Sequence, residues 1–195
     1  MGRAIWIAGL GLVGALAVSD RCAAETLEPF TLEVLIMDEV GVSADTLQHA
    51  QREASRIFEA VGIRLVWVSG RMPQAPRYLV IRVVSKPMSQ MSRNPGVLGT
   101  AASSHENGAT TASLFYERIV QESGRLGVDA SLLFGHVMAH EMGHLLLPGG
   151  SHTPTGLMKA GWDRHQSVLA STGRLTFAPN QASLIRARLS GYANR

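Results

Sequence analysis

From Leu132 to Leu147 the chain reads LLFGHVMAHEMGHLLL, and Pro148 follows. Leucine, methionine and alanine favour a helix here, and apolar residues fall on almost every side of it. Such a helix is buried, so the rest of the fold must wrap around it. Asp129 or Ser131 can cap its start, and Pro148 stops it near Leu146. Its polar residues are few: His136, His140 and His144 at four-residue steps, and Glu141 beside the second. Gly135, Ala139 and Gly143 form a stripe of small residues away from Glu141, which predicts close packing of this helix against a sheet.

The partners for that packing lie upstream. FTLEVLIM, Phe30 to Met37, is apolar and β-branched enough for a buried strand. Ser43 can cap a helix in which Leu47, Ala50, Ala54, Ile57 and Val61 recur at helical spacing, with Gly62 ending it. IRLVWV, Ile63 to Val68, and YLVIRVV, Tyr78 to Val84, are the next two strands. Two strands flanking one helix predict a parallel crossover. Gly96 to Ser103, GVLGTAAS, reads as a glycine-containing strand at a sheet edge. Ala109 to Ile119 reads as a fifth strand. Beyond Pro148 the chain looks loop-rich up to a short helix over about Asn180 to Leu189.

At 195 residues, with 46% hydrophobic and 17% charged residues, the chain is large enough for one core and too apolar for disorder. Nothing marks a linker or a repeat. The first two dozen residues stand apart. Arg3 precedes a 15-residue apolar run, Ala4 to Val18, and Cys22-Ala23-Ala24 offers small residues at −3 and −1. This is the pattern of a secretory signal peptide over 1–24, short of the ~20 residues of a spanning helix. Cleavage after Ala24 removes the one cysteine, leaving residues 25–195 as a single domain that uses no disulfide. The expected location is periplasmic or extracellular, with no stable membrane insertion after cleavage. A net charge of +3, spread along the chain, gives no nucleic-acid signature.

His140 to His144, HEMGH, matches H-E-x-x-H. Residues four apart share a helix face with Cβ atoms ~5–6 Å apart. Two imidazoles placed so can converge on one zinc ion. Glu141 stands one step round the helix, aside from a ligand position and placed to take a proton from water. A third ligand must come from elsewhere. No glutamate follows Glu141; Asp163, His165 and His136 are available, and His136 lies in line with the pair, which disfavours it. His152 is the best placed, because Pro148 ends the helix and Gly149-Gly150 let the backbone swing back. His49 reads as solvated, and His105 as a loop residue.

This segment resembles the metzincin zinc metallopeptidases, and among them the matrixins, whose pattern is H-E-x-x-H-x-x-G-x-x-H followed by a Met-containing turn. The resemblance implies His140, His144 and His152 as zinc ligands, Glu141 as general base and Met158 as the residue beneath the metal. Gly149 sits three before His152, as in the family, but seven residues separate the second and third histidines here instead of five. No tyrosine shortly follows Met158, so the extra ligand of the astacin branch is absent. The resemblance also implies an α+β, zincin-like fold. That fold has a mixed five-stranded sheet, a backing helix, an active-site helix, a Met-turn and a C-terminal helix. Gly96, Val97, Leu98, Gly99, Thr100 and Ala101 fall where matrixins place the edge strand that pairs with substrate. The likeness covers most of Phe30 to Met158.

The function expected from these residues is an exported zinc-dependent endopeptidase acting on a protein or peptide. Two rivals belong to other classes: a binding module with a structural zinc, and a zinc hydrolase of non-peptide amides. Glu141 argues against the first, since a structural site needs no general base. Trp162, Asp163 and His165 follow the Met-turn without a fixed role.

Overall fold

The computed structural model describes residues 30–75, 77–85, 94, 96–103, 110–149 and 151–193. The expected leader with Cys22, the loop residue His105 and Gly150 lie outside them.

Five strands and five helices make up the described chain, the strands mostly preceding the helices. They are β1 (Phe30–Asp38), α1 (Ala44–Glu59), β2 (Ile63–Val68), β3 (Tyr78–Val84), β4 (Gly99–Ser103) and β5 (Thr110–Phe115). Then come α2 (Tyr116–Leu126), α3 (Ala130–Leu146), α4 (Arg164–Ser171) and α5 (Pro179–Ala193). The sheet order is β2-β1-β3-β5-β4. β1 runs parallel to β2 and β3, β3 runs parallel to β5, and β4 closes one edge antiparallel to β5. The fold is therefore α+β on a mixed five-stranded sheet.

Strand alternation sets the layers. Leu32, Val34 and Ile36 of β1, with Leu79, Ile81 and Val83 of β3, are buried on one face. Their neighbours Glu33, Leu35, Val80 and Arg82 are only half-buried on the other. Such a sheet packs helices on one side and meets water on the other. The β1–α1 turn is tied by the Asp38 carboxylate, which accepts from the N–H groups of Val40, Gly41 and Val42 at 3.0, 3.0 and 2.7 Å. Ser43 caps α1, accepting from Thr46 N–H at 3.2 Å. α1 then buries Ala50, Ala54, Ile57 and Phe58. Gly62 turns the chain into β2 at φ +79°, a conformation that favours glycine.

Asp129 caps α3, its side chain accepting from Ser131 and Leu132 N–H. Leu133, Phe134, Met138, Met142, Leu145 and Leu146 of α3 are all but inaccessible. Each such side chain contributes roughly 1.5–3 kcal/mol by leaving water. The small-residue stripe does not face the sheet, as the sequence led us to expect. A Cβ on Gly135 would stand 2.6 Å from Ala50 O of α1, and one on Gly143 would stand 2.6 Å from Met158 Sδ. The stripe seats α3 against another helix at one end and against the segment carrying Met158 at the other.

Other elements also differ from expectation. The fifth strand ends at Phe115, and Tyr116 opens a helix. Ile119 and Ser123 at helical spacing are buried, and Gly127 in the left-handed region at φ +68° closes it. The stretch after Pro148 is not all loop. Asp163 caps α4 by accepting from His165 and Gln166 N–H at 2.8 and 3.2 Å. The edge strand begins at Gly99, not Gly96, because Arg118 Nη1 donates to Asn94 O and Val97 O, both at 3.1 Å, and Val97 N–H turns back onto Asn94 O. The C-terminal helix is longer than expected, starting at Pro179, where a missing N–H costs nothing. Among the described residues no helix is long and apolar enough to cross a membrane.

The tight α1–α3 crossing makes a prediction. Gly135→Ala gains about 1 kcal/mol in helix propensity, but overpacking costs about 1–3 kcal/mol. The obstructing atom is a backbone oxygen, which cannot swing aside. Urea unfolding should therefore show a net loss for Gly135→Ala. Gly124→Ala, whose Cβ would meet open space on exposed α2, should show a net gain. A stabilised Gly135→Ala protein would contradict the packing described.

Candidate metal centre

α3 places His140 and His144 on one face, one turn apart. Each ring is oriented through its far nitrogen. His140 Nδ1 lies 2.8 Å from Leu157 O, and a carbonyl only accepts, so Nδ1 carries the proton and Nε2 keeps its lone pair. His144 Nδ1 lies 2.8 Å from Ser151 Oγ. His152 comes from the loop after Pro148 and turns its Nε2 to within 3.0 Å of His144 Nε2, which is also 3.0 Å from His140 Nε2. Among the described residues, the three imidazoles are the group of potential ligands that lie close enough together to hold a metal ion. Asp163, His165 and His136 are not in it. Ligand nitrogens ~2.0–2.1 Å from a tetrahedral zinc stand about 3.3 Å apart, close to the spacing found.

The donor chemistry fits a cation. With His140 Nδ1–H committed to Leu157 O, its Nε2 lone pair faces the ring nitrogens of the other two imidazoles, an arrangement that can hold a cation. Protons are poor candidates. Burial, then the charges of His140 and His152, push His144 down to about 4. Burial, partly opposed by the Leu157 bond, also holds His140 below its ordinary value. His140 and His144 are thus biased towards the unprotonated form, the one a metal needs, at neutral pH.

Glu141 stands beside them and is 6% exposed. Burial alone pushes its carboxyl up from 4.5 to about 7. The carboxylate lies directly under β4: a Cβ on Gly99 would be 2.8 Å from Glu141 Cγ and 3.0 Å from Oε1. Met158 is fully buried, with Sδ against Gly143 one residue before His144. A cleft of about 610 Å³ opens over the group. Gly96, Val97, Leu98, Gly99, Thr100 and Ala101 line one side of it, and Val137 and Trp162 line it too.

The remaining polar residues of the sequence reading fall elsewhere. His136 is fully buried, with Nδ1–H donating to Leu132 O at 3.0 Å and Nε2 facing Glu53 Oε1 at 3.4 Å, which leaves Nε2 without a hydrogen bond. Its ring meets Trp162 edge-on at 5.4 Å. Asp163 pairs with Lys159 and caps α4, and His165 is exposed. His49 is exposed, yet its Nδ1 lies 2.7 Å from Ser131 Oγ. Ser131 gives its own proton to Asp129, so this Ser-His-Asp neighbourhood is a helix cap and lacks the base–nucleophile order of a triad. Ser151 and the Leu157 carbonyl, which orient the rings, were missed in the sequence. Ser151 carried no signal beyond standing next to His152, and a backbone carbonyl carries none. No protein-family model matches the chain, and no curated protein matches it.

Buried Glu141 has a stability cost with a definite sign. Its folded pKa is raised, so below about pH 4.5 it is protonated in both states and costs nothing. As pH rises towards 7 the unfolded chain ionises while the fold resists, and stability falls by about 3 kcal/mol. The difference in unfolding free energy between metal-free wild type and metal-free Glu141→Gln should open over this window, in favour of the variant at pH 8. A pH-independent difference would show that burial does not set this carboxyl.

Proposed function

We propose that this chain is an exported zinc-dependent endopeptidase with a metzincin-like, matrixin-type catalytic domain. His140, His144 and His152 are its ligands, Glu141 its general base and Met158 the residue beneath the metal. The observation that carries the reading is the convergence of three imidazole nitrogens beside a buried, proton-accepting carboxylate in a cleft bordered by an edge strand. Three imidazoles without thiolate or carboxylate match catalytic zinc sites, which leave one position open, and differ from four-ligand structural sites. That distinction favours an enzyme over a binding module.

Zinc held by His140, His144 and His152 would supply a Lewis acid able to polarise a carbonyl and acidify water. The protein residues do the rest. Glu141, with a pKa near the working pH, takes a proton from water and returns it to the departing amine. The outer edge of β4, with the turn before it, offers Gly96 to Ala101 as a template along which an extended peptide pairs its backbone. Gly99 keeps that strand clear of the Glu141 carboxylate. Export is the reading supported by the leader pattern of residues 1–24, with the periplasm or the cell exterior as the proposed location.

Two variants test the reading. Glu141→Ala should retain one zinc per chain and lose turnover of a peptide library by ~10²–10⁴. Zinc retained by both proteins, with hydrolysis by neither, favours the binding module. Gly99→Ala adds a methyl group that displaces Glu141 and touches no ligand. It should keep its zinc and fold while kcat falls at least about tenfold, within the range of misplaced catalytic groups. Wild-type kcat in Gly99→Ala would remove Glu141 from the chemistry as placed.

A further inference from the structure

His140 and His144 are held by the ladder of α3, but His152 sits in a loop with no regular structure. Something must hold that loop if its imidazole is to meet the other two. Internal bonds do part of this: Thr153 N–H donates to Met158 O at 3.0 Å, and Thr153 Oγ1 donates to Thr155 O at 2.9 Å. These tie the far side of the loop to itself, and contacts of Ser151 Oγ with His144 Nδ1 and of Leu157 O with His140 Nδ1 tie its two ends to α3, but none of them fixes the backbone on both sides of His152.

The anchor comes from the C-terminal helix. Gln181 of α5 is 3% exposed, and its side chain reaches the loop on both sides of His152. Its Nε2 lies 3.4 Å from Ser151 O and 3.4 Å from Thr153 Oγ1. The orientation of the amide is settled by its other end: Oε1 accepts from Ala178 N–H at 3.0 Å. That is the returning half of a capping box, with Ala178 at the cap position and Gln181 three residues later. Since the cap consumes the oxygen, the NH₂ group must face the loop, where it meets two acceptors. Ser151 is also the residue whose hydroxyl orients His144.

We propose that Gln181 is a positioning residue for the third metal ligand. It clamps the residues before and after His152, and so makes α5 part of the metal site although no residue of α5 belongs to the ligand group. The proposal rests on the metal-site reading above. It also gives a physical role to a segment in which the sequence showed no site.

The test is zinc affinity by chelator competition on the full chain, with cobalt absorption spectra as a second readout. Four proteins are compared: wild type, Gln181→Glu, His152→Ala and the double variant. Gln181→Glu keeps an oxygen for the cap and replaces the NH₂ donor by an acceptor. It should weaken zinc binding about 10–100-fold, the usual effect of removing an outer partner of a ligand. Its cobalt spectrum should shift towards that of His152→Ala. In the His152→Ala background the same substitution should have no further effect on affinity, because the ligand it positions is gone. Gln181→Ala, checked for folding by circular dichroism, serves as a second variant should Gln181→Glu fail to fold. Wild-type zinc affinity in both Gln181 variants, or an equal loss with and without His152, overturns the proposal while leaving the metal site standing. A wild-type chain that binds no zinc overturns both.

Discussion

The arrangement turns on three imidazoles that meet at their ring nitrogens, His144 Nε2 lying 3.0 Å from the Nε2 atoms of both His140 and His152. Two of them are delivered by a helix whose every other face is buried. The helix can be buried because α1 approaches closely at Gly135, the Met158 segment approaches at Gly143, and the sheet supplies a continuous apolar face behind both. Loosening any one of these contacts would move the imidazoles, because a helix transmits displacement along its length as a rigid rod. The capped start at Asp129 and the stop at Pro148 set where along the rod they fall.

The same burial that makes the helix stable makes its carboxylate unstable. Glu141 is buried under β4, and among the described residues no hydrogen bond or cation lowers its pKa. A group in that position is held ready to bind a proton near neutral pH. Under the proposed function, this is where stability gives way to chemistry. The fold tolerates the cost because α3 buries many apolar side chains around it, while only one charge is exposed to the penalty.

The cleft is built from two unequal halves. The ordered sheet and α3 form one wall, and local sequence patterns account for both. The other wall comes from Lys159 to Trp162 and the loop carrying His152, which have little regular structure. Their positions depend on contacts reaching across the chain: Leu157 N–H to Thr176 O, Gln181 to the His152 loop, and the Trp162 ring against His136. The segment after Met158 is therefore a brace for the site, although it adds no member to the histidine cluster.

Local sequence was enough for β1, β2, β3, α1 and the buried helix: apolar, β-branched runs mark the strands, helical spacing between Ser43 and Gly62 marks α1, and an all-round apolar stretch ending at Pro148 marks the buried helix. The H-E-x-x-H spacing determined that His140, His144 and Glu141 would lie together, since a helix allows no other geometry at steps of one and four. Sequence alone could rank His152 above Asp163 and His165, but the meeting of its Nε2 with the pair is decided by a loop held from α5, which no local pattern encodes. The same limit hid α2, where a strand passes into a helix without a break residue, and α4, whose cap at Asp163 is a single side chain. The direction of the small-residue stripe was also undecidable in sequence. Glycines at helical spacing announce a close neighbour, and only the packing of α1 and Met158 reveals which neighbour it is.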